Sequence, residues 1–154
     1  MVTIREKPVV KMRAEGICTS HSRTDVRVRD IATVVDEPLE RGGSNAAPSP
    51  TEMLMASLLG CTNVILHKVA AKNGVEIEAL SLKLETEFDR HGVMLAKFVE
   101  IPFPAMTLTV DVTTRASDAE VAVLARELDA FCPVSQVIRK SGTRLKTIFN
   151  VTRP

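Results

Sequence analysis

Hydrophobic and polar residues alternate in several short segments of the chain, and this alternation is typical of half-buried β-strands. The first segment spans residues 10–18, where Val10, Met12, Ala14 and Cys18 alternate with charged residues. Further strands are predicted around 26–28 and over 31–35, 80–88, 106–112 and 145–151. The segment between Asp89 and Ala105, with one glycine and two prolines, gives no clear prediction.

A long helix is predicted in the middle of the chain. Ser49 supplies an N-cap, Pro50 suits the first helical position, and Glu52 stands three residues after the cap. The apolar run continues to Asn73-Gly74, a typical helix end, which gives about 24 residues or roughly 36 Å. The first half of this helix is apolar on nearly all faces, so we expect it to be buried on all sides. One small sheet cannot provide that cover, and a homodimer is therefore expected.

Two shorter helices follow the central strands. Ser117 and Glu120 form a capping box at the start of the first helix. Pro133 must end or kink that helix, and a short helical segment then runs to Gly142. The order of elements predicts an α+β fold with antiparallel pairing, in one domain over residues 1–154. The loop of about twelve residues between Leu39 and Pro50 is long enough to be functional.

Composition and charge exclude several classes of function. The 154 residues carry a net charge of +1, with no Trp, no Tyr and five Phe. Nothing here favours an electrostatic partner such as nucleic acid or a membrane surface, and base-stacking platforms are absent. The most apolar stretch, Met53–Cys61, is too short to span a bilayer, and the N-terminus has no signal-peptide run.

The cysteines and histidines argue against metal and against structural disulfides. The chain has three cysteines and three histidines, with no Cys-x-x-Cys and no shared ligand spacing. An odd, widely spaced cysteine set does not fit the framework of a small secreted protein. We therefore expect a cytoplasmic protein without a metal or a tightly bound cofactor.

Two of the cysteines are candidates for chemistry. Cys132 precedes Pro133 and is the predicted N-cap of the short helix, where unpaired N–H groups favour a thiolate. Cys132-Pro133-Val134-Ser135 is also similar to redox Cys-Pro-x-Cys motifs with the second thiol replaced. Cys61 lies in the middle of the long helix, where a free cysteine is ordinarily a small hydrophobic residue. Cys18, on a strand, is interpreted as structural.

Taken together, the two cysteine segments resemble the OsmC/Ohr family of osmotically induced and organic hydroperoxide resistance proteins. The resemblance rests on residues 48–62 and 132–142, in matching order and spacing. Asp36-Glu37-Pro38 followed by Gly42-Gly43 is similar to the OsmC-like branch. The resemblance implies an OsmC-like fold with antiparallel sheets packed around a long buried central helix. It also implies an intertwined homodimer with its sites at the subunit interface.

The function implied by the resemblance is a thiol-dependent peroxidase that reduces organic hydroperoxides. In this family role, Cys61 attacks the peroxide and becomes a sulfenic acid. Cys132 then resolves that sulfenic acid to a Cys61–Cys132 disulfide. A lipoylated protein is the expected reductant, with dihydrolipoamide as the small dithiol donor.

The resemblance also implies an arginine, held by a glutamate, that assists the peroxidatic thiol. Arg41 is the first candidate, with Arg23 and Arg29 as alternatives. The family's glutamate directly follows the proline, but Thr51 occupies that position here and Glu52 comes one residue later. On an ideal helix Glu52 points about 180° away from Cys61 and lies roughly 13 Å along the axis. The competing interpretation is that Glu52 forms a capping box with Ser49 at the start of the helix.

Two other interpretations stay open. The chain could be a non-catalytic protein that binds a small apolar ligand on the same fold, with incidental thiols. It could also be a thiol transferase centred on Cys132 alone, which predicts that Cys61→Ser keeps activity. Apolar neighbours along the Cys61 helix favour an alkyl hydroperoxide as substrate; they are Leu54, Leu58, Val64 and Ile65. Lys68 shares the Cys61 face of the helix about 10 Å away.

Overall fold

The computed structural model describes residues 8–154 as two compact units, one ending at Leu54 and the other comprising Met55–Pro154. Residues 1–7, part of the N-terminal stretch in which no signal peptide is predicted, lie outside the described residues. One domain over 1–154 stays a prediction.

The first unit contains a three-stranded antiparallel sheet. Its strands are β1 (Glu15–Cys18), β2 (Thr24–Val28) and β3 (Ile31–Val35), in the order β1-β2-β3. Of the strand predicted over 10–18, only the C-terminal part forms. Val28 pairs with Ile31, so Arg29 and Asp30 make a two-residue turn in which Arg29 has φ +59°. Positive φ at this position is what tight hairpin turns require.

The long loop after β3 is closed by one carboxylate. Asp36, which is 0% exposed, accepts hydrogen bonds from Ser44 Oγ (2.6 Å), Ser44 N–H (2.9 Å) and Ala46 N–H (3.1 Å). The Ser44 hydroxyl and then the Ala46 amide hold the pKa of the Asp36 carboxyl far below its usual range. A Cβ at Gly43 would lie 1.7 Å from the Glu37 carbonyl oxygen, so only glycine fits there. A short 3-10 helix, Leu39–Arg41, lies within the loop.

A long helix leads from the first unit into the second. It is α1, over Pro50–Lys72, and its bounds agree with the prediction from Ser49-Pro50 and Asn73-Gly74. The remaining elements all belong to the second unit. They are β4 (Ala79–Thr86), β5 (Ala105–Thr113), α2 (Asp118–Phe131), α3 (Pro133–Lys140) and β6 (Arg144–Thr152).

The second sheet is mixed, so the expectation of antiparallel pairing throughout is wrong. In the order β4-β5-β6, β4 and β5 are antiparallel, with Leu82 opposite Val110. β5 and β6 are parallel, with Val110 opposite Phe149. The reason is that α2 and α3 form the crossover that returns the chain to the same end of the sheet before β6 begins. The α+β class itself is confirmed.

We expected α1 to be buried on all sides, but a single chain does not bury it on all sides. Its buried residues fall at helical spacing on one face; they are Leu58, Thr62, Leu66, Val69 and Ala70. Val64, off this face, is 50% exposed. A single chain therefore buries one face of α1. By length and composition alone its 23 residues would suffice to cross a membrane, a property that core helices of soluble proteins share.

The segment between β4 and β5, for which no clear prediction was possible, is irregular. Phe88 and Phe103 stack with ring centroids 4.9 Å apart and close its base. Leu95 and Phe98 are largely exposed, and Leu95 has φ +56°.

Candidate functional site

Cys132 lies at the corner between two helices. α2 ends at Phe131 and α3 begins at Pro133, so Cys132 is the C-cap of one helix and the N-cap of the other. Proline breaks the first helix because it has no N–H to donate, and for the same reason it is tolerated at the first position of the next. The predicted N-cap position is confirmed. The Cys132 side chain makes no capping hydrogen bond of its own.

The Cys132 thiol instead meets Cys61, which lies in the middle of α1. The two sulfur atoms are 3.2 Å apart, although 71 residues separate them in sequence, and Cys132 Sγ–H donates to Cys61 Sγ. A disulfide needs a sulfur–sulfur distance of about 2.05 Å, so a shift of about 1 Å would join them. Both cysteines are free thiols.

The two thiols differ in their access to solvent. Cys132 is 0% exposed, whereas Cys61 is partly exposed. Solvent therefore has partial access to residue Cys61 and none to Cys132.

Burial raises the pKa of the Cys61 thiol, because a thiolate loses hydration when its sulfur is covered. A hydrogen bond from Val134 N–H opposes this rise. Contact with Cys132 adds to it, since two adjacent sulfur atoms do not both carry charge readily. Val134 is the second residue of α3, and its amide is the first that the helix can donate, because Pro133 has none. Cys61 thus lies at the N-terminus of a helix, although not its own.

The corner around Cys132 is held by a set of polar contacts centred on Asp129. Arg139 Nη2 donates to Asp129 Oδ1 over 2.9 Å, and Gln136 Nε2 donates to the Asp129 carbonyl oxygen over 2.6 Å. Arg139 Nη1 also donates to the carbonyl oxygen of Leu145 on β6. These bonds join α2, α3 and β6, so they fix the angle at which Cys132 is presented.

An apolar groove lies farther along α1, and neither thiol lines it. Its cavity of about 370 Å³ is lined by Ile65, Lys68, Val69, Lys72 and Phe131. Ile65 is one helical turn after Cys61, and Phe131 is the neighbour of Cys132. Lys72 Nζ forms an ion pair with Glu127 Oε1 at 2.8 Å and lies 5.3 Å from the centre of the Phe131 ring.

The other predicted site residues belong to the first unit and have partners there. Glu52 accepts hydrogen bonds from Ser49 N–H (2.7 Å) and Ser49 Oγ (2.8 Å), as the capping interpretation predicts. These bonds lower the pKa of the Glu52 carboxyl, and the charge of Arg41 adds a smaller effect. Arg41 Nε forms an ion pair with Glu37 Oε2 at 3.0 Å.

The two alternative arginines are also placed in the first unit. Arg23 Nε donates to Asp25 Oδ1 over 2.8 Å, and this contact raises the pKa of Arg23. Arg29 occupies the tight turn between β2 and β3. Catalytic roles for any of these arginines stay predictions.

Sequence reasoning missed the Val134 amide and the groove. Pro133 at the first helical position was a usable signal for the amide, because it leaves the next residue as the first donor. Phe131 gave no signal, since its position in the groove depends on how α2 packs against α1. Among residues 8–154, no cluster of three or more His, Cys, Asp or Glu side chains could hold a metal.

A family model described as OsmC-like protein matches residues 42–148, which include both thiols. The chain belongs to the OsmC-like family. The OsmC/Ohr resemblance is thereby confirmed, and so is the α+β class of the fold that it implied. No significant match is found among curated proteins.

Solved structures of the family have the same fold at low sequence identity. An OsmC-like protein from Mycoplasma pneumoniae is 15% identical with a TM-score of 0.73, and the match covers 94% of this chain and 97% of the other. An organic hydroperoxide resistance protein OsmC from Legionella pneumophila is 19% identical with a TM-score of 0.66, covering 94% and 99%. The organic hydroperoxide resistance protein OhrB of Bacillus subtilis is 18% identical with a TM-score of 0.59, covering 92% and 98%.

Proposed function

We propose that this OsmC-like protein is a thiol peroxidase that reduces organic hydroperoxides through Cys61 and Cys132. One observation carries the proposal: the two sulfur atoms are 3.2 Å apart and only Cys61 is open to solvent. Structural relatives that are named organic hydroperoxide resistance proteins support the choice of substrate.

The proposed reaction has three balanced steps. The Cys61 thiolate attacks the terminal peroxide oxygen, the O–O bond breaks, and the alkoxide takes a proton and leaves as an alcohol. Cys61 is now a sulfenic acid, oxidised by two electrons. The Cys132 thiol attacks its sulfur, a disulfide forms and water leaves. An external dithiol then reduces the disulfide by exchange and is itself oxidised to a cyclic disulfide.

Access and position support this division of roles. A peroxidatic sulfur must be reached by substrate, and Cys61 is the partly exposed member of the pair. A resolving sulfur must be close but need not meet substrate, which suits the buried Cys132. The apolar groove that begins at Ile65, one helical turn after Cys61, favours an alkyl hydroperoxide over hydrogen peroxide.

The reaction requires a thiolate, and burial works against it. The Val134 amide offsets part of the rise in the pKa of Cys61, but the net direction is upward. A cation would favour the thiolate further. By family resemblance we assign this role to Arg41 and assign Glu52 to hold it, with Arg23 and Arg29 as alternatives.

The proposal extends to partners and location. We propose an intertwined homodimer, supported by apolar residues that are exposed in a single chain; examples are Ile17, Ile31 and Val64. Sedimentation equilibrium tests it, and a monomer at micromolar concentration would contradict it. A lipoylated protein is the proposed reductant, with dihydrolipoamide as its small-molecule equivalent and no resident cofactor. The proposed location is the cytoplasm, where thiols stay reduced.

The test is intact-mass spectrometry with thiol titration. Fully reduced protein receives one equivalent of cumene hydroperoxide or, separately, of hydrogen peroxide. We expect rapid loss of two thiols and two hydrogens with the organic peroxide. Dihydrolipoamide should restore both thiols.

Two variants make this test specific. Cys61→Ser should abolish the reaction, whereas Cys18→Ser should leave it unchanged, because Cys18 lies on β1 and its side-chain partner within residues 8–154 is Thr24. Activity retained by Cys61→Ser would instead support a transferase centred on Cys132. Survival of both thiols in excess oxidant would overturn the peroxidase proposal and favour a protein that only binds an apolar ligand.

A further inference from the structure

We propose that the ion pair between Asp129 and Arg139 positions Cys132 so that the sulfenic acid of Cys61 closes to a disulfide before a second hydroperoxide oxidises it further. The inference rests on the proposed peroxidase function and assigns two positioning residues to its second step. It is carried by the contacts that Asp129 and Arg139 make on either side of Cys132.

The corner at Cys132 has little stiffness of its own. Pro133 has no N–H to donate, so the backbone hydrogen bonds of α2 stop at Cys132 N–H, which donates to the Leu128 carbonyl oxygen over 3.0 Å. Those of α3 begin with Gln136 N–H, which donates to the Cys132 carbonyl oxygen over 3.0 Å. Because α3 has only eight residues, it depends on contacts outside the helix for its stability. The angle between α2 and α3 is therefore left to side chains.

Asp129 and Arg139 supply these side-chain contacts. Asp129 lies three residues before Cys132 on α2, and Arg139 lies in the last turn of α3, so their ion pair of 2.9 Å closes the chain around the cysteine. Both partners also reach β6. Arg139 Nη1 donates to the Leu145 carbonyl oxygen, and Thr147 Oγ1 donates to Asp129 Oδ1 over 3.4 Å. The corner that carries Cys132 is thereby fixed to the second sheet.

The surroundings of Arg139 favour a functional role over a stabilising one. Its Nε atom is buried and has no hydrogen-bond partner within residues 8–154. A buried donor without a partner costs free energy, and an ion pair as exposed as this one stabilises a fold only weakly. What the pair contributes is therefore the geometry of the corner.

That geometry decides which of two reactions consumes the sulfenic acid. In the resolving step the Cys132 sulfur attacks the Cys61 sulfur, an S–S bond forms, the S–O bond breaks, and water leaves with the Cys132 proton. In the competing step a second hydroperoxide transfers an oxygen atom to the sulfenic acid, which gives a sulfinic acid and an alcohol. Cys132 Sγ is already 3.2 Å from Cys61 Sγ. Proximity of the two sulfur atoms speeds only the first of these reactions.

The catalytic test measures the ratio of disulfide to sulfinic acid. Reduced protein without a dithiol receives increasing equivalents of cumene hydroperoxide, and intact-mass spectrometry separates loss of two hydrogens from addition of two oxygens. In Asp129→Asn and in Arg139→Gln, the hydroperoxide concentration that gives equal amounts of both products should fall roughly three- to tenfold. This ratio does not depend on how fast the sulfenic acid forms, so it reports on the resolving step alone.

Two comparisons make the test specific. Asp118→Asn removes an ion pair at the other end of α2, where Asp118 pairs with Arg153, and it should leave the product ratio unchanged. The double variant of Asp129→Asn with Arg139→Gln should be no worse than either single variant, because both remove the same contact. Arg139→Lys keeps a cation for Asp129 and is the milder variant, so its product ratio should lie between those of the parent protein and Arg139→Gln.

A redox titration separates this inference from the proposed function. Equilibration with mixtures of reduced and oxidised dithiothreitol needs no hydroperoxide and gives the effective concentration of one thiol at the other. This effective concentration should fall roughly three- to tenfold in Asp129→Asn, because the order that the ion pair provides in the dithiol form must then be supplied when the disulfide closes. Asp118→Asn should again match the parent protein.

The outcomes separate as follows. An unchanged product ratio and an unchanged redox equilibrium in folded Asp129→Asn and Arg139→Gln overturn the inference and leave the peroxidase intact. An equal shift in Asp118→Asn also overturns it, since any weakened ion pair would then act alike. Failure of every hydroperoxide to oxidise Cys61, together with a lowered effective concentration in Asp129→Asn, overturns the peroxidase and supports the positioning role of the pair.

Discussion

Cys61 Sγ and Cys132 Sγ lie 3.2 Å apart, yet solvent reaches only Cys61. This asymmetry fixes the order in which an incoming oxidant would meet them. Cys132 is the N-cap of α3, and Asp129 joins α3 to α2. These contacts hold the buried Cys132 sulfur beside Cys61 before oxidation.

Removal of Cys132 should separate the two oxidation steps. In Cys132→Ser, Cys61 can still reduce one hydroperoxide but has no thiol to resolve its sulfenic acid. We expect one turnover, followed by addition of the mass of two oxygen atoms as the sulfenic acid oxidises to sulfinic acid. Intact-mass spectrometry over increasing equivalents of cumene hydroperoxide measures this. A variant that still turned over repeatedly with dihydrolipoamide would show that Cys132 is not the resolving residue.

The raised pKa of Cys61 predicts a strong pH dependence of its reactivity. Its alkylation by iodoacetamide should rise about tenfold per pH unit and continue to rise beyond pH of about 8.5, where an ordinary thiol levels off. Cys132→Ser should lower the midpoint, because it removes the neighbouring sulfur. Cys18, followed in the same protein by peptide mapping, is the internal comparison. A plateau for Cys61 below neutral pH would contradict the prediction.

The raised pKa of Cys61 also makes the free energy of unfolding depend on pH. The native state holds the Cys61 proton to higher pH than the unfolded chain does. The stabilisation from this thiol is therefore complete below about pH 8.5 and is lost as pH rises through the native pKa. Urea unfolding of the reduced protein should show this decline, and it should be smaller in Cys61→Ser.

The Val134 amide should report directly on the charge of Cys61. As the thiolate forms, its hydrogen bond with Val134 N–H strengthens, and that amide proton should shift with the Cys61 midpoint. Two-dimensional NMR of ¹⁵N-labelled Cys132→Ser protein follows this across pH. Val137, on the exposed side of α3, is the control amide. A Val134 resonance that did not move at that midpoint would show that the helix end does not stabilise the thiolate.

Local chemistry in the sequence was enough to place most elements. Ser49-Pro50 and Asn73-Gly74 predicted both ends of α1, and the Ser117–Glu120 capping box predicted the start of α2. These signals work because the residues that satisfy free N–H and C=O groups at helix ends lie within four positions of them. Alternation likewise predicted β4, β5 and β6, although not the parallel direction of β6, which depends on the crossover before it.

Local sequence patterns predicted less of the site than of the fold. Cys132 at a helix N-terminus was predictable from Pro133, but its contact with Cys61 joins residues 71 apart and only the family resemblance linked them. The groove escaped prediction because Phe131 and Ile65 meet only after α1 and α2 pack. In a single chain only one face of α1 is buried, and the expectation that a second copy covers the rest stays a prediction.

Asp36 should control the order of the loop after β3. Asp36→Asn replaces the charged acceptor of three hydrogen bonds with a neutral amide oxygen, which accepts them more weakly. Hydrogen exchange of these two amides should become much faster, while Asp30→Asn in the exposed turn should have no effect. Because the native pKa of Asp36 is lowered, its stabilisation is present above about pH 3.9 and is lost as pH falls through the native value. Unchanged exchange in Asp36→Asn would show that the loop is held by other contacts.

Substitutions of Glu52 and Arg41 should have different effects, the first on stability and the second on the rate of thiol oxidation. Glu52 is bonded to Ser49 at the start of α1, so Glu52→Gln should mainly reduce the free energy of unfolding, by about 1 kcal/mol, through weaker capping.

Under the proposed assignment, Arg41→Met should slow the oxidation of Cys61 by cumene hydroperoxide at least tenfold with little loss of stability, because a cation that favours the thiolate is removed. Arg41 pairs with Glu37 at 3.0 Å, so slower oxidation in Glu37→Gln than in Glu52→Gln would move the proposed role of holding Arg41 from Glu52 to Glu37. Stopped-flow measurement of the thiol together with urea unfolding distinguishes the two effects, and Arg23→Met serves as the comparison for the alternative arginine. Slower oxidation in Arg23→Met but not in Arg41→Met would move the assignment to Arg23.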